Sequence, residues 1–223
     1  SLSVDNMEPS PIKAIMWDIG NVFVRFDHHK ACLALSHYSA KTEGEIYDFI
    51  FNSGNAPIEL HDAGKISSEE FFLAIKNFAL FEESLTFEMF CMHWGDIFEE
   101  NLELERVLAK IHPDIKMCLI SNVDPIHWPY LLKMKTLMHY FSDESKLIRS
   151  YTSHSRKPEL KMYTDALRAL EMKQEDVGSI LYIDDVKEYC DTFTFMGGNS
   201  IQYNCSKDSI EILEEELRKY KII

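Results

Sequence analysis

Three short apolar runs, each followed by a polar residue, constrain the fold of this chain more than any other feature. The runs and the residues that follow them are 12–17 before Asp18, 115–120 before Ser121, and 180–183 before Asp184. Runs of this length with polar boundaries are typical of buried parallel strands. Because ligands of open α/β sheets bind at the carboxyl ends of the strands, we expect these three endings to converge.

Amphipathic helices separate the strands and indicate right-handed βαβ units in an α/β fold with a parallel sheet. The apolar spacing predicts one helix over 159–172 and another over 101–111. A last helix is predicted to begin around Asp208, with Glu211 three residues later.

The segment 28–99 differs from the rest, because it has aromatic and aliphatic residues at helical spacing and no convincing strand. Within it, Ser67 and Glu70 have the spacing of a capping box. Its phenylalanine and methionine stripe is more typical of a helical core than of a ligand pocket. We therefore predict a helical domain over 28–99, inserted into a core formed by 11–27 and 100–223.

The composition restricts the classes of partner. The 223 residues include 23 Lys and Arg against 37 Asp and Glu, a formal net charge of −14, which disfavours nucleic acid or an anionic membrane as partner. The 5 cysteines form no CxxC pair, which favours reduced thiols in a cytoplasmic protein. Residues 1–10 do not resemble a signal peptide, and we expect a loose leader there. No oligomeric state is indicated.

Two adjacent carboxylates, Asp184 and Asp185, follow the last predicted strand and repel each other unless a cation or hydrogen bonds offset their charge. Mg²⁺ suits such a pair, because it binds one or two protein carboxylates together with water and phosphate oxygens. Asp18 follows the first strand and precedes Gly20, which allows a sharp turn. Each of these residues alone is also typical of a solvated turn.

A hydroxyl and an amide follow the middle strand at Ser121 and Asn122, and both groups can hold phosphate oxygens. Lys157 stands before Pro158 and a predicted helix, where its charge can offset both phosphate and the carboxylates. Taken singly, Ser121 and Asn122 are more commonly an ordinary loop pair, and Lys157 is more commonly a surface lysine, than parts of a phosphate site. The order of all these features along one chain is more specific.

In combination, these motifs resemble the haloacid dehalogenase (HAD) superfamily of hydrolases. The chain is most similar to the phosphatase branch whose first motif reads Asp-x-Gly-Asn-Val, with sugar-1-phosphate phosphatases and the phosphatase domain of epoxide hydrolases as relatives. The resemblance extends from Ile15 to about Gln202. It implies a Rossmann-like three-layer α/β/α core with a parallel sheet and an inserted α-helical cap.

The resemblance implies a magnesium-dependent phosphatase that hydrolyses a small phosphorylated metabolite, such as a sugar phosphate, through an aspartyl-phosphate. Asp18 would be the nucleophile, and Ser121 and Lys157 would bind the transferring phosphoryl group. Asn122 would lie near the substrate. The implied Mg²⁺ ligands are Asp18, the carbonyl of Gly20, Asp184 and Asp185.

Two positions depart from the superfamily pattern. Most of its phosphatases have an aspartate in place of Gly20, and this aspartate acts as a general acid and base, a role worth about 10²–10⁴ in rate. Tyr189 stands where asparagine is frequent, which is expected to alter how Lys157 is held. These departures motivate an alternative function, a binding or regulatory protein with weak or no turnover.

The glycine also shapes what we expect of an active enzyme. One hypothesis is a preference for leaving groups of low pKa, such as an anomeric sugar oxygen. Asp27 and His61 are candidates for a substitute proton donor, although a structural role is commoner for such residues. A metal-independent haloacid dehalogenase is a third alternative, and it would not explain the pair Asp184 and Asp185.

Overall fold

The computed structural model describes residues 11–223, so residues 1–10, where we expected a leader, lie outside the described part. The strands are β1 (Ala14–Trp17), β2 (Val24–Phe26), β3 (Phe98–Glu100), β4 (Lys116–Ser121), β5 (Leu147–Arg149), β6 (Ile180–Asp184) and β7 (Asn199–Gln202). The helices are α1 (His28–Ser36), α2 (Glu43–Asn52), α3 (Pro57–Asp62), α4 (Ser68–Ala79), α5 (Phe87–Gly95), α6 (Leu104–Leu108), α7 (Trp128–Leu131), α8 (Lys135–Tyr140), α9 (Ser150–Ser153), α10 (Leu160–Ala169), α11 (Lys187–Phe195) and α12 (Ile210–Lys219). Short 3₁₀ helices cover Glu144–Lys146 and Gln174–Ser179.

The central sheet has five strands in the order β5-β4-β1-β6-β7, and every neighbouring pair is parallel. β1 lies in the middle, with Trp17 in register with Leu119 of β4 and Ile183 of β6. The carboxyl ends of these three strands therefore lie at one edge of the sheet. This confirms the predicted α/β class and places Asp18 at the centre of that edge.

Helices cover both faces of the sheet and make β1 entirely buried. Ile15 and Trp17 face an apolar layer that contains residues of α6 and α12. Ala14 and Met16 face the opposite layer, which contains residues of α10 and α11. The core is thus a three-layer α/β/α arrangement, and burial on both faces explains why the strands read as continuous apolar runs.

The predicted elements exist, with different boundaries. The three predicted strands correspond to β1, β4 and β6, and each end lies within two residues of its expected position. The helix predicted over 159–172 is α10, which ends earlier because Glu171 adopts a left-handed conformation at φ 56°. The helix predicted over 101–111 is reduced to α6.

The predicted start of the last helix is wrong. α12 begins at Ile210, with Ser209 rather than Asp208 at the N-cap position. The carboxylate of Asp208 instead accepts a hydrogen bond of 2.9 Å from the backbone N–H of Asn204. The side chain of an aspartate just before a helix can either cap the helix or accept a hydrogen bond from its own loop. Spacing alone does not distinguish these two roles.

Helices α1–α5 pack around an apolar cluster of their own, which includes Ile50, Phe71 and Trp94. The predicted capping box is present, because Ser67 and Glu70 exchange hydrogen bonds with each other's backbone at 3.0 Å. The limits 28–99 for a separate cap stay a prediction.

The expectation that the segment 28–99 has no strand is wrong at its C-terminal end. β3 pairs antiparallel with β2, so a two-stranded ribbon joins both ends of the helical segment to the core. Strands of three residues are too short to show a period of two in the sequence.

Across residues 11–223, no helix combines the length and the apolar character that crossing a membrane requires. The cysteines are all free thiols, in agreement with the expected absence of a disulfide framework.

Candidate active site

A buried lysine joins the ends of three strands. Lys157, only 2% exposed, donates hydrogen bonds from Nζ to Asp18 Oδ1 at 2.9 Å and to Asp184 Oδ2 at 2.8 Å. A third bond of 3.1 Å goes to the carbonyl of Ile120 in β4. The ammonium thus uses all three of its donors. Residues that are far apart in the sequence therefore meet at the sheet edge, as the strand endings predicted.

The two carboxylates that bind this lysine form a cluster with a third, Asp185. Asp18, Asp184 and Asp185 each offer an oxygen atom, and these atoms all lie within 4.8 Å of one another. Burial and the neighbouring Asp184 raise the pKa of Asp18 well above its usual value, and burial also raises the pKa of Asp185. One ammonium cannot balance three ionised carboxylates, and the raised pKa values of Asp18 and Asp185 reflect this shortage of positive charge. This set of hard oxygen donors fits a divalent cation such as Mg²⁺.

The pair formed by Lys157 and Asp184 is ionised. Burial alone would lower the pKa of Lys157, but the carboxylates of Asp18 and Asp184 outweigh burial and raise it above its ordinary value. For Asp184, burial is likewise outweighed by Lys157, by the hydroxyl of Tyr182 and by the backbone N–H of Val186, so its pKa is lowered. The positive charge is therefore fixed at the strand ends.

Asn122 holds the backbone of Lys157 in place. Its Oδ1 accepts a 2.8 Å hydrogen bond from the N–H of Lys157, and its Nδ2 donates a 3.2 Å bond to the carbonyl of the same residue. Ser121, the last residue of β4, is buried and faces the same cavity as Asp18. The sequence placed Asn122 near a substrate, and the structure adds this positioning contact.

The turn after Asp18 works differently from the expectation for Gly20. The left-handed residue is Asn21, with φ 58°, and its amide donates a 2.9 Å hydrogen bond to Asp185. Gly20 is required for space, because a Cβ there would lie 2.9 Å from the ring of Phe26. A larger side chain at position 20 would therefore displace Phe26.

Tyr189 packs beside the lysine. Its ring centroid is 5.3 Å from Lys157 Nζ, a geometry that favours a cation. Its hydroxyl accepts a weak hydrogen bond of 3.4 Å from Asn122, and its carbonyl accepts a 2.8 Å bond from Tyr163. The tyrosine thus contacts both the lysine and the residue that positions it.

A cavity of about 220 Å³ opens above the strand ends. Its lining combines residues of the site with residues of the helical segment, including Asp18, Ser121, Asn122, Lys157 and Asp185 from the core, and Phe26, His28, Phe51, Ile58 and Asp62 from β2 and the first three helices. A ligand bound at Asp18 would therefore contact both parts of the chain.

The two proposed substitute proton donors have structural contacts instead. Asp27 caps α1 by accepting a 3.0 Å hydrogen bond from the N–H of His29. His61 is fully buried, and its Nε2 lies 3.0 Å from the hydroxyl of Ser68. Neither is among the residues that line the cavity, whereas the next residue, Asp62, is. Apolar spacing could not distinguish His61 from Asp62, because α3 is only 6 residues long and does not define a face.

No family model and no curated protein matches the sequence. Solved structures do match it. A HAD family enzyme from Bacteroides thetaiotaomicron, in complex with magnesium and inorganic phosphate, aligns with a TM-score of 0.75 and 18% identity over 90% of this chain and 98% of that chain. A predicted HAD-like family hydrolase from Porphyromonas gingivalis aligns with a TM-score of 0.75 and 20% identity over 94% of this chain and 99% of that chain.

A more distant match is the L-2-haloacid dehalogenase of Xanthobacter autotrophicus with covalently bound chloropropionic acid. It aligns with a TM-score of 0.60 and 16% identity over 95% of this chain and 84% of that chain. At these identities the shared property is the fold, and both hydrolytic and dehalogenating enzymes carry it. The chain therefore has the fold of the haloacid dehalogenase-like superfamily, as its motifs predicted.

Proposed function

We propose that this protein is a magnesium-dependent phosphatase that acts on a small phosphorylated metabolite. The observation that carries the proposal is the buried ammonium of Lys157, held between Asp18 and Asp184 with Asp185 beside them. A site with one fixed positive charge and surplus carboxylates at the ends of parallel strands suits a cation together with an anionic substrate. The magnesium and phosphate complex of the Bacteroides enzyme supports the same choice of ligands.

Asp18 is proposed as the nucleophile. One of its carboxylate oxygens would attack phosphorus and form an aspartyl-phosphate, while the hydroxyl of Ser121 donates to a phosphoryl oxygen and the positive charge of Lys157 attracts the phosphoryl group. Magnesium, when bound, supplies positive charge that reduces the repulsion between the carboxylate and the phosphate dianion. The proposed ligands are Asp18, the carbonyl of Gly20, Asp184 and Asp185, of which the three side chains are clustered in the structure.

The helical segment is proposed to act as a cap that selects the substrate. Its support is the shared cavity, to which Phe26, Phe51 and Ile58 contribute apolar lining and the strand ends contribute polar lining. A leaving group attached to a phosphoryl group at Asp18 would extend toward this apolar lining. The cavity volume of about 220 Å³ favours a small metabolite over a polymer.

The test is hydrolysis of p-nitrophenyl phosphate, followed by a screen of phosphorylated metabolites, with and without Mg²⁺. We expect release of phosphate that requires Mg²⁺ and is lost in Asp18→Asn. The matched control is Asp191→Asn, because Asp191 is an exposed aspartate that only pairs with Lys187 on α11. Failure of every phosphate ester would contradict the proposal.

The alternative of a binding protein without turnover is favoured by one observation, the ring of Phe26 packed against Gly20 where most related phosphatases have an acidic residue. It predicts that phosphate esters bind with Mg²⁺ but are not cleaved. A metal-independent dehalogenase would instead release chloride from 2-chloropropionate without added Mg²⁺, and the same preparation of protein can be assayed for this.

A further inference from the structure

A side chain at position 20, where most related phosphatases have their general acid, would collide with the ring of Phe26 in its present position. A Cβ on Gly20 would lie 2.9 Å from Phe26, and Phe26 is itself fixed in β2, which pairs with β3. The phenyl ring therefore occupies the space that a carboxyl side chain would need. If the chain has a proton donor for the leaving group, another element must provide it.

Asp62 is a carboxyl group that the helical segment contributes to the lining of the same cavity. It is the last residue of α3, is 6% exposed, and lines the cavity together with Asp18. Its Oδ2 lies 3.5 Å from Nε of Arg156, while Nη1 of that arginine lies 3.7 Å from the more exposed Glu59. The arginine thus places a positive charge beside Asp62 without forming a hydrogen bond to it from Nε.

The charges around Asp62 favour its protonated form near neutrality. The groups that face it are Asp124 and His127 in the segment after β4, Arg156 before α10, and His61 on its own helix. Burial and the negative charge of Asp124 outweigh the cationic neighbours and raise the pKa of Asp62 to about 7. A carboxyl group with such a pKa can both donate and accept a proton at physiological pH.

The other titratable groups in the cavity wall are less suited to this role. Burial lowers the pKa of His28 to about 3, so its ring stays neutral. His127 uses both ring nitrogens, at 3.0 Å from Asp124 and at 2.9 Å from the carbonyl of Trp94. Burial raises the pKa of Tyr189 above its usual value.

Resting on the proposed phosphatase function, we propose that Asp62 is a catalytic residue that protonates the oxygen of the leaving group. Asp18 attacks phosphorus, the bond from phosphorus to the leaving oxygen breaks, and the Asp62 carboxyl transfers its proton to that oxygen. In the second step, the Asp62 carboxylate accepts a proton from the water that attacks the aspartyl-phosphate. The bond between phosphorus and Asp18 then breaks, phosphate leaves, and both carboxyl groups return to their starting states.

The experiment compares Asp62→Asn with the wild-type protein on two substrates in Mg²⁺. Glycerol 2-phosphate has an alkoxide leaving group that needs a proton, whereas p-nitrophenyl phosphate has a leaving group that does not. We expect kcat/KM of the variant to fall about 10²-fold or more for glycerol 2-phosphate and less than about threefold for p-nitrophenyl phosphate. The kcat for p-nitrophenyl phosphate should fall as well, with a burst of p-nitrophenolate, because hydrolysis of the intermediate also uses Asp62.

The control variant is Glu59→Gln, which removes the other carboxylate beside Arg156. It should leave kcat/KM unchanged for both substrates. An equal loss of kcat/KM for both substrates in Asp62→Asn would overturn the proposal, because it would indicate a structural role. Retained hydrolysis of p-nitrophenyl phosphate would show that the proposed function stands whatever the result for glycerol 2-phosphate. If the wild-type protein hydrolysed neither substrate, this result would instead contradict the proposed function.

A second readout does not depend on the folding of a variant. In the wild-type protein, the ratio of kcat/KM for glycerol 2-phosphate to that for p-nitrophenyl phosphate should fall as pH rises above about 7, because Asp62 then loses its proton. Groups that act on both substrates cancel in this ratio. A ratio that stays constant from about pH 6 to about pH 9, a range that includes that value, would contradict the assignment.

Discussion

The candidate active site and the cluster around Asp124 are both buried and both contain carboxylates, yet their charges are balanced differently. In the active site, two carboxylates share the ammonium of Lys157, and a third, Asp185, lies beside them. In the second region, which we name the Asp124 cluster (Asp124, His127, His61 and Trp94), one carboxylate receives four donors. These are the backbone N–H groups of Ile126 and His127, Nε1 of Trp94 and Nδ1 of His127, at 2.8–3.0 Å.

His127 in this cluster carries a positive charge. Its Nε2 faces the carbonyl of Trp94, which can only accept, and its Nδ1 faces Asp124, whose pKa is lowered well below its usual value. Both ring nitrogens must therefore bear protons, in agreement with the raised pKa of His127. The cluster links α5 to the segment after β4 with no charge left over. A cluster whose charges cancel is suited to stabilising the fold, whereas a cluster with more carboxylates than cations is suited to binding a metal cation.

The largest expected effect comes from removing the ammonium that the described residues place in the active site. Lys157→Met should lower kcat/KM for p-nitrophenyl phosphate by about 10²–10³-fold, because the phosphoryl oxygens lose a buried, positioned charge. The measurement is steady-state hydrolysis at saturating Mg²⁺, with Lys187→Met on the surface of α11 as control. Activity within about threefold of the wild type would contradict the assigned role, because Lys157 would then be structural like the residues of the Asp124 cluster.

The Asp124 cluster is expected to respond in stability instead. Asp124→Ala should lower the free energy of unfolding by about 3–5 kcal/mol, because it leaves the His127 imidazolium buried without its partner. Urea denaturation measures this loss. The matched control, Asp191→Ala, removes a surface pair with Lys187 and should cost less than about 1 kcal/mol. Similar losses for both variants would show that the cluster does not stabilise the fold.

The pH dependence of the free energy of unfolding tests whether His127 is charged in the folded protein. The folded state raises the pKa of His127, so its stabilising contribution is complete below the unfolded value of about 6.5 and is lost as pH rises through the higher folded value. The free energy of unfolding should therefore fall by up to about 1.4 kcal/mol per pH unit in that window. His127→Gln should flatten this slope, as measured by denaturation at several pH values, and an unchanged slope would contradict the assigned charge.

The smallest effect is expected at Tyr189. Tyr189→Phe removes a hydroxyl that only accepts the 3.4 Å hydrogen bond from Asn122, while the ring beside Lys157 remains. We expect kcat/KM to change by less than about threefold, since a weak neutral hydrogen bond contributes about 0.5–1 kcal/mol. A loss of more than about tenfold would show that the hydroxyl itself contacts the substrate or the lysine during turnover.

The sequence was sufficient for β1, β4 and β6 and their polar ends, because strands buried on both faces leave a continuous apolar run. Asp18, Ser121 and Asp184 were located at one sheet edge from this pattern alone, and the structure places them there. Spacing could not reveal that Gly20 serves close packing, since the Phe26 ring approaches it only after β2 pairs with β3.

The polar residues of the helical segment were harder to place. His61 and Asp62 are adjacent on a one-and-a-half-turn helix, and only the packing of α3 against neighbouring elements decides which of them faces the cavity. The Asp124 cluster was missed for the same reason, because its members come from α3, α5 and the segment after β4. Periodicity describes one element at a time and carries no information on contacts between elements.

The central claim, that Asp18 captures a phosphoryl group with the help of Lys157, is tested most directly by trapping the intermediate. The protein is mixed with p-nitrophenyl phosphate and Mg²⁺, quenched in acid, digested, and analysed by mass spectrometry. We expect the added mass of one phosphoryl group on the peptide that contains Asp18, and we expect no added mass on that peptide in Asp18→Asn. A phosphoryl group on another residue, or an equal amount in the variant, would contradict it.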